Sequence, residues 1–214
     1  PVAGKPLIDH VLDRLAAASA RLRVDTVAHT FEGREVVMAM VTSEANHARL
    51  DAIRQAAQRL GDPRGVAAAE AAQLIETQPA IVWLGGSIHG FELSGSEGLL
   101  RVLERLATAD DAETLEVLRG TVVLIDPILN PDGRDAHARH NHENIGRVAA
   151  HARDDWSNDF DGWEGLKYRT SHYYHDINRD WFAHTHPETR NRVGTIQAWR
   201  PQVLVDAHEM GADV

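Results

Sequence analysis

There is no cysteine in the sequence. Disulfides, thiol catalysis and sulfur-ligated zinc are therefore excluded. This does not decide the compartment, since exported proteins can also lack disulfides. There is no basic stripe and no Lys/Arg-rich run. Acidic residues number 32 against 22 basic ones, for a formal charge of −10. Nucleic acid is not an expected partner for such a chain, and the acidity argues mainly for solubility. No apolar run approaches the roughly 20 residues that a membrane-spanning helix needs. Repeats and low-complexity linkers are absent as well. The chain opens Pro1-Val2-Ala3-Gly4, without Met and without the apolar stretch of a signal peptide. That start reads as processed or trimmed.

What is present suits a folded domain. With 214 residues, 43% of them hydrophobic, the chain is one large domain or a fragment of one. Leu7, Ile8, Val11, Leu12 and Leu15 fall at helical spacing within residues 7–22. Two β-rich runs, 26–31 and 36–42, flank Glu32-Gly33-Arg34 and predict a hairpin. Helices are expected over 46–60, 66–75, 93–107, 113–119 and 188–199. Continuous apolar runs at 80–85, 121–125 and 202–207 read as strands covered on both faces. Residues 134–167, rich in Asp, His, Asn and Gly, show no period and read as a long irregular segment. Helices alternating with buried strands predict an α/β fold: a mixed, largely parallel central sheet flanked by helices. Sites in such sheets gather at strand ends. His89, Asn130 and His208 all lie just beyond a predicted strand.

His89-Gly90-Phe91-Glu92 follows the strand at 80–85 and a Gly85-Gly86 turn. A His and a Glu three residues apart can turn the same way at the start of a helix. His208, in Val205-Asp206-Ala207-His208-Glu209-Met210-Gly211, could complete a two-His, one-carboxylate set. Catalytic zinc uses that ligand type and keeps a fourth position for water. Taken alone, His-x-x-Glu is common, and a surface His beside a helix-capping Glu is its plainer reading. Asn130-Pro131-Asp132-Gly133 reads on its own as a turn. Asp176-Ile177-Asn178-Arg179-Asp180-Trp181 is less ordinary. Arg179 could clamp a carboxylate with its planar fork, and Asn178 could add an amide donor. A surface ion pair or cap is the alternative there.

The order His-x-x-Glu, Asn-Pro-Asp-Gly, Asp-x-Asn-Arg, strand-then-His resembles the zinc carboxypeptidase family, the carboxypeptidase A-like metallopeptidases. The resemblance runs from about residue 24 to the end. It is nearest to a bacterial branch, through Asn130–Arg134, Asn178–Trp181 and His208–Gly211. It implies that His89, Glu92 and His208 bind one zinc ion per chain. Asn178 and Arg179 would hold the free C-terminal carboxylate of a peptide substrate. Arg169, in a Tyr-Arg pair nine residues before Asn178, would stabilise the oxyanion, with Arg134 as the runner-up. Asp176 would orient His89 through its other ring nitrogen. The implied reaction is hydrolysis of the C-terminal residue by zinc-activated water. The implied location is secreted or periplasmic, as for similar bacterial proteins.

The family draws its general-base Glu and its substrate-capping Tyr from downstream of the third zinc ligand. Neither position exists in these 214 residues. Residues 1–214 are therefore expected to be a single catalytic domain cut short after that ligand, with its sheet incomplete. Glu209 adjoins His208, but neighbours on an extended strand point to opposite faces, so a structural role is expected. Two other functions stay open. One is a zinc amidohydrolase or deacylase acting on N-acyl amino acids; the other is a non-catalytic zinc- or peptide-binding module. His137, His140, His142 and His151 match no ligand spacing and read as a solvated His-rich segment. Trp156, Trp163, Tyr168, Tyr173 and Tyr174 read as packing residues of that stretch. The preferred C-terminal residue and the oligomeric state are not legible.

Overall fold

The computed structural model describes residues 7–144 and 167–209. In chain order the elements are α1 (Leu7–Ala18), β1 (Leu22–His29), β2 (Glu35–Val41), α2 (Glu44–His47), α3 (Leu50–Gly61) and α4 (Ala68–Thr77). Then come β3 (Ala80–Gly86), α5 (Leu93–Thr108), α6 (Ala112–Gly120), β4 (Thr121–Asp126) and α7 (Pro131–Asn144). A 3₁₀ turn (Ile177–Arg179), α8 (Pro187–Trp199) and β5 (Val203–Ala207) complete them. The five strands form one mixed sheet in the order β1-β2-β4-β3-β5. β1–β2 and β2–β4 are antiparallel, while β4–β3 and β3–β5 are parallel. The α/β class is as expected.

Period-two alternation splits the core across the sheet. Met38 and Met40 of β2, Ile81 and Trp83 of β3, and Val122 and Leu124 of β4 face one side. There they pack with Leu50 and Ile53 of α3 and Trp199 of α8. Ala39, Val41, Val123 and Ile125 face the other side, against Leu12 of α1, Leu99 and Leu103 of α5 and Leu118 of α6. Helices on both faces let β3 and β4 carry apolar residues on both sides.

Four sequence expectations change. β1 begins at Leu22 rather than Thr26, because Leu22 pairs with Val41 across the hairpin. The helix expected over 46–60 is two helices, α2 and α3, broken at Arg49 with φ −131°. Residues 134–144 are helical, within α7, not irregular. Finally, β5 is not buried: Val203, Leu204 and Val205 are 49%, 49% and 43% exposed. β5 is an edge strand, and among the described residues nothing packs over it as α3 and α5 pack over β3. An apolar run reports only what a strand is suited to face.

Candidate metal centre

Parallel register brings the site together. β3 and β5 run side by side with Gly86 opposite Ala207. His89 lies just past the first and His208 just past the second, so both reach the same end of the sheet. The chain leaves β3 through Ser87, a buried residue with a left-handed φ of 54°. That turn folds His89 back over the sheet end. Close backbone packing then fixes it: a Cβ on Gly90 would collide with the backbone of Gly133 and Arg134. Glu92 is the N-cap residue of α5, and its carboxylate lies between the two histidines. Its Oε1 is 2.7 Å from His89 Nδ1 and its Oε2 is 3.1 Å from His208 Nδ1. One ligand atom from each of the three lies within 4.8 Å of the others. His89 and Glu92 are each 3% exposed, and His208 stands at the rim.

The far sides of both rings face carboxylates too. His89 Nε2 is 3.5 Å from Asp176 Oδ1, and His208 Nε2 is 3.2 Å from Asp206 Oδ2. A carboxylate behind an imidazole holds the proton on that nitrogen and leaves the other as a lone pair. Here both Nδ1 atoms hydrogen-bond the Glu92 oxygens; moved to Nε2, their protons would face Asp176 and Asp206 and leave two Nδ1 lone pairs and the Glu92 carboxylate converging on one small space. Three acceptors so placed suit a cation. Two imidazoles and one carboxylate are zinc's catalytic ligand set. The residues present therefore fit zinc.

Comparison with known proteins agrees. The family model of zinc carboxypeptidases matches residues 8–212. The chain belongs to the zinc carboxypeptidase family. Members of this family are zinc-dependent peptide hydrolases. Among solved structures, a metallo-carboxypeptidase from Pseudomonas aeruginosa, in complex with (2-guanidinoethylmercapto)succinic acid, superposes with a TM-score of 0.59 at 16% identity. That match covers 95% of this chain and 39% of that one. A metallo-carboxypeptidase from Burkholderia cenocepacia gives 0.59 at 17% identity, covering 95% and 40%. A carboxypeptidase A from Helicoverpa armigera gives 0.57 at 15%, covering 96% and 45%. At such identities these likenesses establish the fold. The chain spans less than half the length of each of these structures. None of the curated proteins compared matches the chain.

The strap at 176–181 runs directly behind His89. Asp176 is held on both oxygens. Oδ1 accepts the Asn178 N–H at 2.9 Å, and Oδ2 accepts the Arg169 Nε–H at 3.0 Å. The Asn178 Oδ1 accepts from Trp181 Nε1 at 3.0 Å, which leaves its amide protons as donors. Arg179 is exposed; its guanidinium donates to the Asn178 carbonyl at 3.1 Å and pairs with no carboxylate among the described residues. Arg134 lies mostly inside α7's packing, with Nη1 buried and without a hydrogen-bond partner. Burial pulls its pKa down, opposed by Glu97 and Glu209.

The Asn-Pro-Asp-Gly segment is more than a turn. Asn130 is fully buried, and its Nδ2 donates to the carbonyls of Ile88 and Thr170, both at 3.1 Å. Its Oδ1 caps α7 by accepting the Gly133 N–H at 2.9 Å. One side chain thus ties the His89 turn to the segment before the strap. Glu209 Oε1 accepts the Ser94 N–H at the start of α5. It caps that helix, where a carboxylate also meets the positive end of the helix dipole. His137 and His140 sit on α7 with their rings 5.4 and 5.1 Å from the buried Tyr168 ring. They pack there and are not part of a solvated segment. Tyr173 and Tyr174 are exposed. His151, Trp156 and Trp163 lie outside the described residues.

Sequence reasoning missed the buried charge beneath the strap. Arg192 of α8 is 1% exposed, donates to the Ile177 carbonyl at 3.2 Å and lies 4.0 Å from the Trp181 ring centre. Burial lowers its pKa, while Asp126, Asp206, Asp180 and Glu188 oppose that. Burial pushes the Asp126 carboxyl up to about 7, with Arg192 opposing and Asp206 adding to the rise. The readable signal was faint: a Glu-Thr-x-x-Arg on one helical face with no apolar partner in the sequence.

Proposed function

We propose that this chain is the metal-binding and substrate-gripping part of a metallocarboxypeptidase that removes C-terminal residues from peptides. The convergence of His89 Nδ1, His208 Nδ1 and the Glu92 carboxylate, each ring backed by a second carboxylate, carries this reading. In it, those three residues hold one zinc ion. Zinc there would supply Lewis-acid polarisation of the scissile carbonyl and a lowered pKa for water. Asn178 and Arg179 would grip the terminal carboxylate of the substrate, which is the anion that selects a chain end. Arg169 keeps its terminal NH groups free of partners among the described residues while Asp176 holds its Nε. It is the proposed oxyanion partner, with Arg134 as the second candidate. The general base and capping Tyr would come from residues outside 1–214. An exported location belongs to the same reading and rests on the family resemblance.

The support for the clamp is chemical: an exposed guanidinium with no carboxylate partner, beside an amide with free donors, on a strap touching the metal ligands. The test is a substrate pair assayed with the whole protein that contains this chain. A peptide with a free C-terminus should be hydrolysed, and its C-terminal amide should be cleaved at least about 100-fold more slowly. Arg179→Ala should erase most of that difference. Equal rates on both, or preference for an N-acyl amino acid, would point to the deacylase reading.

A further inference from the structure

A second cluster of ligand-type side chains lies on the other side of the strap. His175, Asp180 and His186 each offer one ligand atom within 4.8 Å of the others. We propose that these three residues form a second metal site, taking a zinc-class divalent ion that braces the strap rather than meeting substrate. The inference stands apart from the carboxypeptidase reading, because it uses none of the residues assigned to that chemistry.

The geometry is built rather than incidental. Asp180 is fully buried. Its Oδ1 accepts from the Thr185 N–H at 2.9 Å and the Thr185 hydroxyl at 2.7 Å, and its Oδ2 from the His186 N–H at 2.9 Å. A carboxylate offers about four lone-pair positions, and these bonds take three. The Thr185 hydroxyl has a single proton, and the short bond to Asp180 takes it. The same oxygen is 3.0 Å from His186 Nδ1 and must there accept a proton. His186 then carries its proton on Nδ1 and a bare lone pair on Nε2. That Nε2 is buried and has no partner, in a residue only 6% exposed. An unprotonated ring nitrogen with its other nitrogen fixed by a neighbour is how metal-binding histidines are prepared.

His175 supplies the second nitrogen. Its ring lies parallel to that of His186, 4.7 Å between centres and 6° between planes. Its Nε2 is also buried and without a partner, and stands 3.8 Å from Asp180 Oδ1. That is too long for a hydrogen bond. The charge states agree. Burial would raise the Asp180 carboxyl, but its Thr185, His186 and Thr189 donors outweigh that and hold it at about 2. Burial and then His175 lower the His186 pKa, which favours the neutral ligand form. Two imidazoles and one carboxylate suit zinc, nickel or copper better than calcium or magnesium.

The experiment is zinc content of the whole purified protein after equilibration with excess zinc and removal of loosely bound ions. His175→Gln is the main variant, since this ring is half-exposed and its loss leaves the Asp180 hydrogen bonds intact. His186→Gln is the second, with circular dichroism to establish folding. Wild type should hold about two zinc ions per chain, and His175→Gln about one. The double variant His89→Gln/His208→Gln should also hold about one, now lost on adding His175→Gln. One zinc in wild type that His175→Gln does not remove would overturn the second site. Zinc unchanged by His89→Gln/His208→Gln would overturn the first site alone, so the two readings fail separately.

Discussion

The two clusters contain the same side chains, two histidines and a carboxylate, and are assembled in opposite ways. Glu92 and His208 are 116 positions apart and meet because β3 and β5 are neighbours in register. His175, Asp180 and His186 come from one short stretch and meet because Asp180 gathers the N–H groups that follow it. The first is carried on the ends of sheet strands, which hold positions more rigidly than loops do. It also has a carboxylate behind each ring. The second has a threonine hydroxyl behind one ring and none of the sheet's support. A rigid, twice-backed set suits chemistry, where small displacements are costly. A local set suits bracing a loop. Asp176 joins them, since it follows His175 in the chain and faces His89 Nε2.

Glu92→Gln is the change with the largest expected effect. It removes the one anion between two lone pairs, so zinc at the first cluster should be lost by more than the about 100-fold of an outer-shell change. The second cluster should keep its ion. Zinc titration followed by mass spectrometry of the native protein separates the two; loss from both together would mean that they are not independent. Arg192→Ala comes next. It removes the buried charge that acts on Asp126, Asp206, Asp180 and Glu188 from a distance and takes a donor from the Ile177 carbonyl. Truncating a fully buried long side chain and leaving an acceptor unpaired typically costs about 2–5 kcal/mol. Urea unfolding should report that loss. Hydrogen exchange should show the strap at 176–181 opening before β3 and β4, the reverse order being incompatible with Arg192 as its anchor. Asp176→Asn is smaller: it keeps the shape but weakens the hold on His89, for about 10–100-fold in zinc affinity. Asp206→Asn should do the same through His208.

Sequence made one cluster legible and hid the other for a physical reason. Buried strands announce themselves as apolar runs, and α/β sites lie where such runs end, so His89 and His208 could be paired across the chain. His175, Asp180 and His186 belong to no strand or helix with a period, and their spacing matches no pattern. What joins them is a set of backbone N–H groups, which a sequence does not display. α7 was missed because its residues, Pro131–Asn144, have no apolar stripe; the Asn130 cap and Tyr168 packing make it a helix. Arg192 and Glu188 were missed because charged residues on a helix normally face water. β5 erred in the other direction, since its apolar residues are exposed here.

The smallest effect concerns pH and sets two carboxylates of the same region against each other. Glu188 is 1% exposed and neither oxygen has a partner. Burial chiefly, then Asp132, pushes its pKa up to about 7 against the opposing Arg192. An unfolded Glu titrates near about 4.3. Between those values the folded chain holds a proton that the unfolded chain has released. Stability from this group therefore falls as pH rises from about 4 to about 7 and is level above. Asp180 has the opposite sign. Held at about 2 in the fold, it adds stability above its unfolded pKa of about 3.9, and that stability is lost as pH falls toward 2. Glu188→Gln should flatten the decline between pH 5 and pH 8, leaving only the slope of the same sign that Asp126 contributes. It should leave the acid limb, where Asp180 acts, unchanged. Urea midpoints measured across pH 2–8 read both limbs at once. A Glu188→Gln profile parallel to wild type throughout would mean that Glu188 is not the proton holder, and that Asp126 alone carries the slope.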